Sequence, residues 1–387
     1  MFLSKLTQDN PKLVDAAIQL HQQQIILPDT YILDLDMIRM NAKQIVSKAS
    51  KYDIELFFMT KQFGRNPLVA AELYNQGMHY AVTVDYREAL LMIEHNIPIG
   101  NVGHLVQIPM ALLEKIILHR PKYITIYSQE LLNQINYIAK KHHLQQNILL
   151  KIIGDDDLIY DGQYGGIRLE NLPTFLACTK TLDNIHIAGL TSFPCFLYEE
   201  KTTNLEQTPN VETLFAAKHI LQKSGYPDPI LNMPSATCCQ TIPLIKELGG
   251  HQGEPGHALT GTTPLHLHDN QPEKIAMVYV SEISHHGDNN SYCYGGGYYR
   301  RGKINQALIA TEHVRTLSPV HPPHSDNIDY HLEIQNIHPI GSSVLIAFRT
   351  QIFVTRSEVA VVSGIQSGSI HLEGIYDSQG RYLRGKS

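Results

Sequence analysis

Hydrophobic and polar positions follow two different patterns along this chain. Between residues 54 and 254, short apolar runs alternate with stretches of helical period, the signature of βα units. The runs are Ile54–Thr60 (IELFFMT), Tyr80–Val84, Ile99–Leu105, Tyr123–Tyr127, Ile148–Ile153, Ile185–Leu190, Pro229–Met233 and, poorest by composition, Gly249–Glu254. Helical stretches at 68–76, 86–95, 109–119, 128–143, 171–181 and 211–224 separate most of them, with Ser128 placed as an N-cap. Ahead of them, 11–24 reads as a helix, Tyr31–Asp36 as a strand and 37–51 as a helix. Eight strands alternating with helices predict an α/β fold, a compact (β/α)8 barrel. A doubly wound open sheet competes, but no GxGxxG follows a strand. After about residue 265 the pattern changes, and strand-like runs dominate: Ala276–Ile283, Ala307–Ala310, Val344–Phe348, Gln351–Val354 and Val359–Val362. The expected domains are a helical extension (1–29), the barrel (30–265) and a C-terminal all-β domain (266–387).

Composition narrows the function classes. In 387 residues, Lys plus Arg number 31 and Asp plus Glu 37, a net charge of -6, which argues against a nucleic-acid partner. No apolar run approaches the ~20 residues that span a bilayer, so no membrane partner is expected. The opening MFLSKLTQDNPKLVD lacks the apolar core of a secretory signal. Five cysteines without framework spacing point to reduced thiols and a cytoplasmic location. Cys238 and Cys239 are adjacent rather than CxxC-spaced, HExxH is absent, and His321 and His324 lie in a Pro-rich stretch read as a loop. No metal is therefore expected.

In a barrel, chemistry sits where the strands exit. Lys61 follows the first run directly; partly desolvated there, it could form a Schiff base with a carbonyl, the alternative being a solvated lysine at a strand end. Ser235 and Gly256 follow the seventh and eighth runs, the usual phosphate-binding turns of such barrels, though each could be an ordinary turn. Glu254, beside the second turn, could keep a heteroaromatic nitrogen protonated, or be a surface glutamate. In the β region, SHHGDNNSYCYGGGYYRRG offers Cys293 and Tyr294 as acid/base groups, against the plainer reading of a hairpin with stacked tyrosines.

MTKQFGRNP (59–67), GLTSFPCF (189–196), YCYGGG (292–297) and FRTQIFVTRSEVA (348–360) resemble the YhfX-like family of fold-type III, alanine-racemase-like enzymes dependent on pyridoxal 5'-phosphate. The resemblance implies that Lys61 holds the cofactor as a Schiff base and moves a proton at Cα. It implies that Ser235 and the turn Gly256-His257-Ala258 bind the phosphate, that Phe193 stacks where racemases carry a histidine, and that Glu254 contacts the pyridine nitrogen as in the decarboxylases. Tyr294 resembles the tyrosine that racemases supply from a partner subunit, and Cys293 the cysteine of decarboxylases, so the second donor stays open between them. A homodimer is implied too. QFGRN after Lys61 and TSFPC at 191–195 match neither well-characterised branch. The expected function is thus racemase- or epimerase-like proton transfer on a small amino-acid substrate. The alternatives are a dehydratase, aldolase or decarboxylase, or a non-catalytic carrier of the cofactor.

Overall fold

The computed structural model describes residues 2–324 and 326–385. Two compact units make up the chain: Ile45–Thr60 with Ala70–Gly256, and Met1–Gln44 with Lys61–Val69 and His257–Ser387. Strand β1 (Thr30–Asp34) belongs to the second of these.

The first unit is the barrel. Its strands are β2 (Glu55–Met59), β3 (Tyr80–Thr83), β4 (Ile99–Val102), β5 (Tyr123–Ile126), β6 (Gln146–Ile153), β8 (Ile185–Thr191), β11 (Ile230–Asn232) and β12 (Gln252–Gly253). All pair in parallel, in the order β5-β4-β3-β2-β12-β11-β8-β6, and β5 pairs again with β6 to close the ring. The short β7 (Ile167–Arg168) adds to β6 outside the ring, and β9 (Phe196–Glu199) and β10 (Asn204–Gln207) form a separate hairpin. The run Leu56–Met59 is buried throughout, as a parallel strand covered on both faces requires. Phe57, Met59, Val82, Tyr123, Leu149 and Ala188 form one interior cluster, each large side chain contributing about 1.5–3 kcal/mol by burial. Near the start of β2, Glu55 pairs with Lys122, whose ammonium lies over the rings of Phe57, Tyr80 and Tyr123. Asp85 and Ser128 cap the helices Tyr86–Glu94 and Gln129–Lys141, accepting bonds from the N–H groups of Glu88 and Leu131.

The second unit is antiparallel β. Its further strands are β13 (Met277–His286), β14 (Asn290–Tyr294), β15 (Gln306–Ala310), β16 (Arg315–His321), β17 (His331–Gln335), β18 (Ser343–Ile346), β19 (Glu358–Ser363), β20 (His371–Asp377) and β21 (Tyr382–Arg384). β13, β14, β17, β16, β15 and β18 close into a six-stranded ring, because β14 bonds to both β13 and β17. β1 extends that sheet, antiparallel to β13 and parallel to β19. Helices Phe2–Asp9 and Pro11–Gln22 bury Leu3, Leu6, Leu13 and Leu20 in the same cluster as Val278, Val280 and Leu345. One expectation fails: Gln351–Val354 is not a strand. Ile352–Val354 is a 3-10 turn with Ile352 buried and Val354 exposed, so a short apolar run there marked one anchoring side chain rather than a period of two. Among the described residues, no helix is long and apolar enough to cross a membrane.

Candidate active site

Parallel pairing brings all eight strand ends to one mouth of the barrel. Nearly every strand delivers a buried polar residue there: Thr60, Thr83, Asn101, Thr125, Lys151, Thr191, Asn232 and Glu254. Several are wired together. Thr125 Oγ1 donates to Asn101 Oδ1 at 2.8 Å, and Thr191 Oγ1 to Asn232 Oδ1 at 2.8 Å. Asn232 Nδ2 donates to Glu254 Oε1 at 3.2 Å, and the Glu254 N–H to Thr237 Oγ1 at 2.8 Å. Thr60 donates to the buried Glu88 carboxylate, which also takes the Val84 N–H at 2.5 Å. Asp85, at the second exit, serves as a helix cap.

The expected residues of this unit sit around that mouth. Glu254 is buried, so it is not a surface glutamate; its charge helps push the buried Cys195 thiol up, after burial itself. Met59 N–H donates to Pro255 O at 2.9 Å, so β2 exits beside the Glu254-Pro255-Gly256 turn. Phe193 packs edge-to-face on His104 (ring centres 5.5 Å apart) and against Tyr160 (5.8 Å). Ser235 and Ala236 both have positive φ, 89° and 51°. Two successive non-glycine residues in that region cost about 1–3 kcal/mol each, a strain that persists where the surroundings over-determine the turn. Ser235 Oγ donates to Phe196 O at 2.7 Å, so its proton is used inside the protein.

The other expected residues lie in the second unit. Lys61 follows β2 by two positions and opens the 3-10 turn Lys61–Phe63; it is 9 % exposed, so it is not a solvated lysine. His257 follows Gly256 and is held neutral, well below the usual histidine range, first by burial and then by the charges of Arg349 and Lys61. Its Nδ1 meets Thr262 Oγ1 at 3.2 Å, while its Nε2 is buried with no hydrogen-bond partner among the described residues. Ala258 is buried beside it in sequence. Cys293 and Tyr294 are consecutive on β14 and therefore face opposite sides. Cys293 is fully buried, its thiol pushed up to about 12 by burial, whereas Tyr294 is 38 % exposed and its ring lies 6.0 Å from that of His331. The Tyr294 carbonyl accepts from Ser281 Oγ (2.8 Å) and Tyr279 Oη (3.0 Å). The glycines after it allow close approach: a Cβ at Gly296 would fall 2.0 Å from Asp29, and one at Gly297 2.2 Å from the Tyr279 ring.

Two residues escaped the sequence reading. Lys151 is the one charge inside the apolar run NILLKII, at the same parity as the interior Leu149, and that interruption was a usable signal. Arg349, near His257, carries no such mark, because nothing local distinguishes it from a surface arginine.

Known proteins share this fold. The family model described as "Alanine racemase, N-terminal domain" matches residues 33–264, and that described as "YhfX-like, C-terminal domain" matches residues 278–372. The "Uncharacterized protein YhfX" of Escherichia coli (strain K12) is 44 % identical over 385 residues, 99 % of this chain and 100 % of that protein. Among solved structures, alanine racemase from Clostridium difficile 630 in complex with cycloserine superposes with a TM-score of 0.67 at 18 % identity, over 91 % of this chain and 99 % of that one. D-threonine aldolase from Filomicrobium marinum gives 0.64 at 14 % identity, over 91 % and 95 %. The arginine decarboxylase of Paramecium bursaria Chlorella virus, bound to agmatine, gives 0.64 at 12 %, over 91 % and 99 %. At these identities the likeness shows the fold. Matched along its whole length by the first relative and along 33–264 by the barrel model, the chain belongs to the YhfX-like family, with an alanine racemase N-terminal domain.

Proposed function

We propose that the protein is a pyridoxal-phosphate-dependent enzyme that moves a proton at the Cα of an amino acid, in the manner of a racemase or epimerase. The observation that carries this reading is Lys61: a buried lysine two residues past the end of a barrel strand, in a chain of this family. The residues present fit the cofactor. A buried amine is available to anchor it covalently. The His257 Nε2, buried without a partner among the described residues and close to the charges of Arg349 and Lys61, suits an anionic oxygen. Ser235 and the turn Gly256-His257-Ala258 would hold its phosphate, Phe193 would stack on its ring, and Glu254, already oriented by Asn232, would meet its pyridine nitrogen. When bound, the cofactor supplies an electron sink for the pair left when a Cα bond breaks.

Lys61 Nζ takes or returns the Cα proton on one face. Tyr294 Oη serves the opposite face in this reading, and two bases on opposite faces give racemisation. Tyr294 suits that role better than Cys293, whose thiol is fully buried and stays protonated. The reading includes a homodimer in which each copy lends its Tyr294 to the other. Glu254 favours a second reading. A buried carboxylate that keeps the ring nitrogen protonated strengthens the sink and opens elimination, retro-aldol cleavage or decarboxylation. A non-catalytic carrier would have no use for the β unit that presents Tyr294.

Borohydride reduction of the protein as purified, followed by peptide mass mapping, should place a pyridoxyl mass on Lys61; a label elsewhere, or none on cofactor-loaded protein, removes the proposal. Incubation with single amino acids in D2O then separates the readings. Cα–H exchange with the mirror-image product marks a racemase. Release of carbon dioxide, ammonia or an aldehyde marks a lyase. Lys61→Ala should abolish both the label and the exchange.

A further inference from the structure

Among the described residues, Lys151 is a charge without a counter-charge inside the barrel. It lies near the C-terminal end of β6, 3 % exposed, paired in register with Thr191, which is in turn paired with Asn232. Its ammonium sits 4.8 Å from the centre of the Tyr127 ring and 3.5 Å from the Tyr127 hydroxyl. Tyr127 cannot neutralise it: the phenol is buried, its pKa is raised further by burial, and its own proton goes to the His104 carbonyl at 2.5 Å. No acidic side chain pairs with Lys151 among the described residues. Two acids of the loop after β6 have other partners, Asp155 on Arg168 (2.5 Å) and Asp157 on Thr213 Oγ1 (2.6 Å) and the Gly154 N–H (2.9 Å). The Tyr127 ring is closely packed by that same loop, since a Cβ at Gly165 would lie 2.7 Å from it. Burying an ammonium with one long hydrogen bond and a ring face is costly unless an anion completes the site.

We propose that Lys151 binds the carboxylate of the substrate at the barrel mouth, with the Tyr127 ring and hydroxyl holding the ammonium in place. This rests on the reading of the protein as an enzyme for amino acids and narrows it: the substrate presents a carboxylate, so amines without one are excluded. Burial alone lowers the Lys151 pKa to about 8, with no charged neighbour contributing, so the ammonium is charged at neutral pH and titrates just above it. Other titratable groups round this part of the barrel are Tyr127, whose phenol burial pushes up, and His104, whose backbone carbonyl takes the Tyr127 proton; Glu254 lies three strands round the ring and carries the wrong sign to attract an anion.

Propionate, with propionamide as the uncharged control, is the probe, titrated calorimetrically into the protein as purified. Wild-type protein should bind propionate and not propionamide, and binding should decline as pH rises through about 8. Lys151→Met should weaken propionate at least about tenfold, and Lys151→Arg should restore part of it. A pH-independent affinity in the wild type, or equal affinity in Lys151→Met, overturns the proposal; the first of these needs no variant to fold. Two sources of the carboxylate separate by exchange in D2O. If it is the α-carboxylate, glycine and alanine show a raised KM with kcat little changed in Lys151→Met. If it is a side-chain carboxylate, only aspartate and glutamate do. The pyridoxyl label on Lys61 is scored independently, so loss of the cofactor reading and loss of this one give different results.

Discussion

Single side chains here are tuned mostly by burial. His257 is the clearest case, because burial and two cations act on it in the same direction. Its folded pKa lies below the unfolded value of about 6.5, so below that pH the unfolded chain binds a proton that the folded chain refuses. Stability contributed at neutral pH is therefore lost as pH falls through about 6.5, by up to about 1.4 kcal/mol per pH unit for this one group. Thermal melts at pH 7.5 and 5.5 should show a lower Tm at the acid value, and His257→Gln should narrow the gap. An equal gap in the variant would assign the loss to His21, His251 or His266, which burial lowers as well. That Lys61 and Glu254 stand at strand exits was legible, Lys61 because it directly follows an apolar run and Glu254 only from the order of elements, since GGHQG before it is not apolar. The contrast between Cys293 and Tyr294 was not, because composition does not say which face of β14 is buried.

Element boundaries followed the same logic. The barrel strands stood out where both faces are covered, as in ELFFM, and were faintest where they shrink: β12, inside the run expected at Gly249–Glu254, is two residues long and half glycine. Strands β16 and β17 escaped notice because they alternate with polar or exposed positions, and RTLSPVH buries only Ser318 and Val320, whereas β14 lies in the stretch read as a hairpin. Ser128 was visible as a cap and is one, through a bond of 3.3 Å to the Leu131 N–H. That bond is long, so Ser128→Ala should cost about 0.5–1 kcal/mol, in the lower part of the range for lost caps. Chemical denaturation should show a lower midpoint with an unchanged m-value. A loss beyond about 2 kcal/mol would mean that Ser128 does more than cap.

At the level of the whole molecule, the two patterns in the sequence correspond to the parallel barrel and the antiparallel sheet, but the sequence does not reveal that the first residues join the second. Nothing in FLSKLTQD or PKLVDAAIQLHQ names its partner; each has an apolar stripe that any sheet face could cover. Their leucines lie in one cluster with residues of β13 and β18. Removing residues 1–22 should therefore expose that apolar face and cause aggregation or a marked loss of Tm, measured by light scattering and calorimetry. A truncated protein as stable as the full chain would show that the face is self-sufficient.

The position of β1 has a consequence for synthesis. It is a middle strand, held on one side by Met277–Val280 and on the other by Glu358–Val362. During synthesis, residues 35–357 are all made after β1 and before its second neighbour exists. The barrel strands are all made in between, and parallel pairings across such a span close slowly. Until β19 is made, that early segment keeps an unsatisfied edge, which leaves the sheet exposed to wrong pairings over this whole interval.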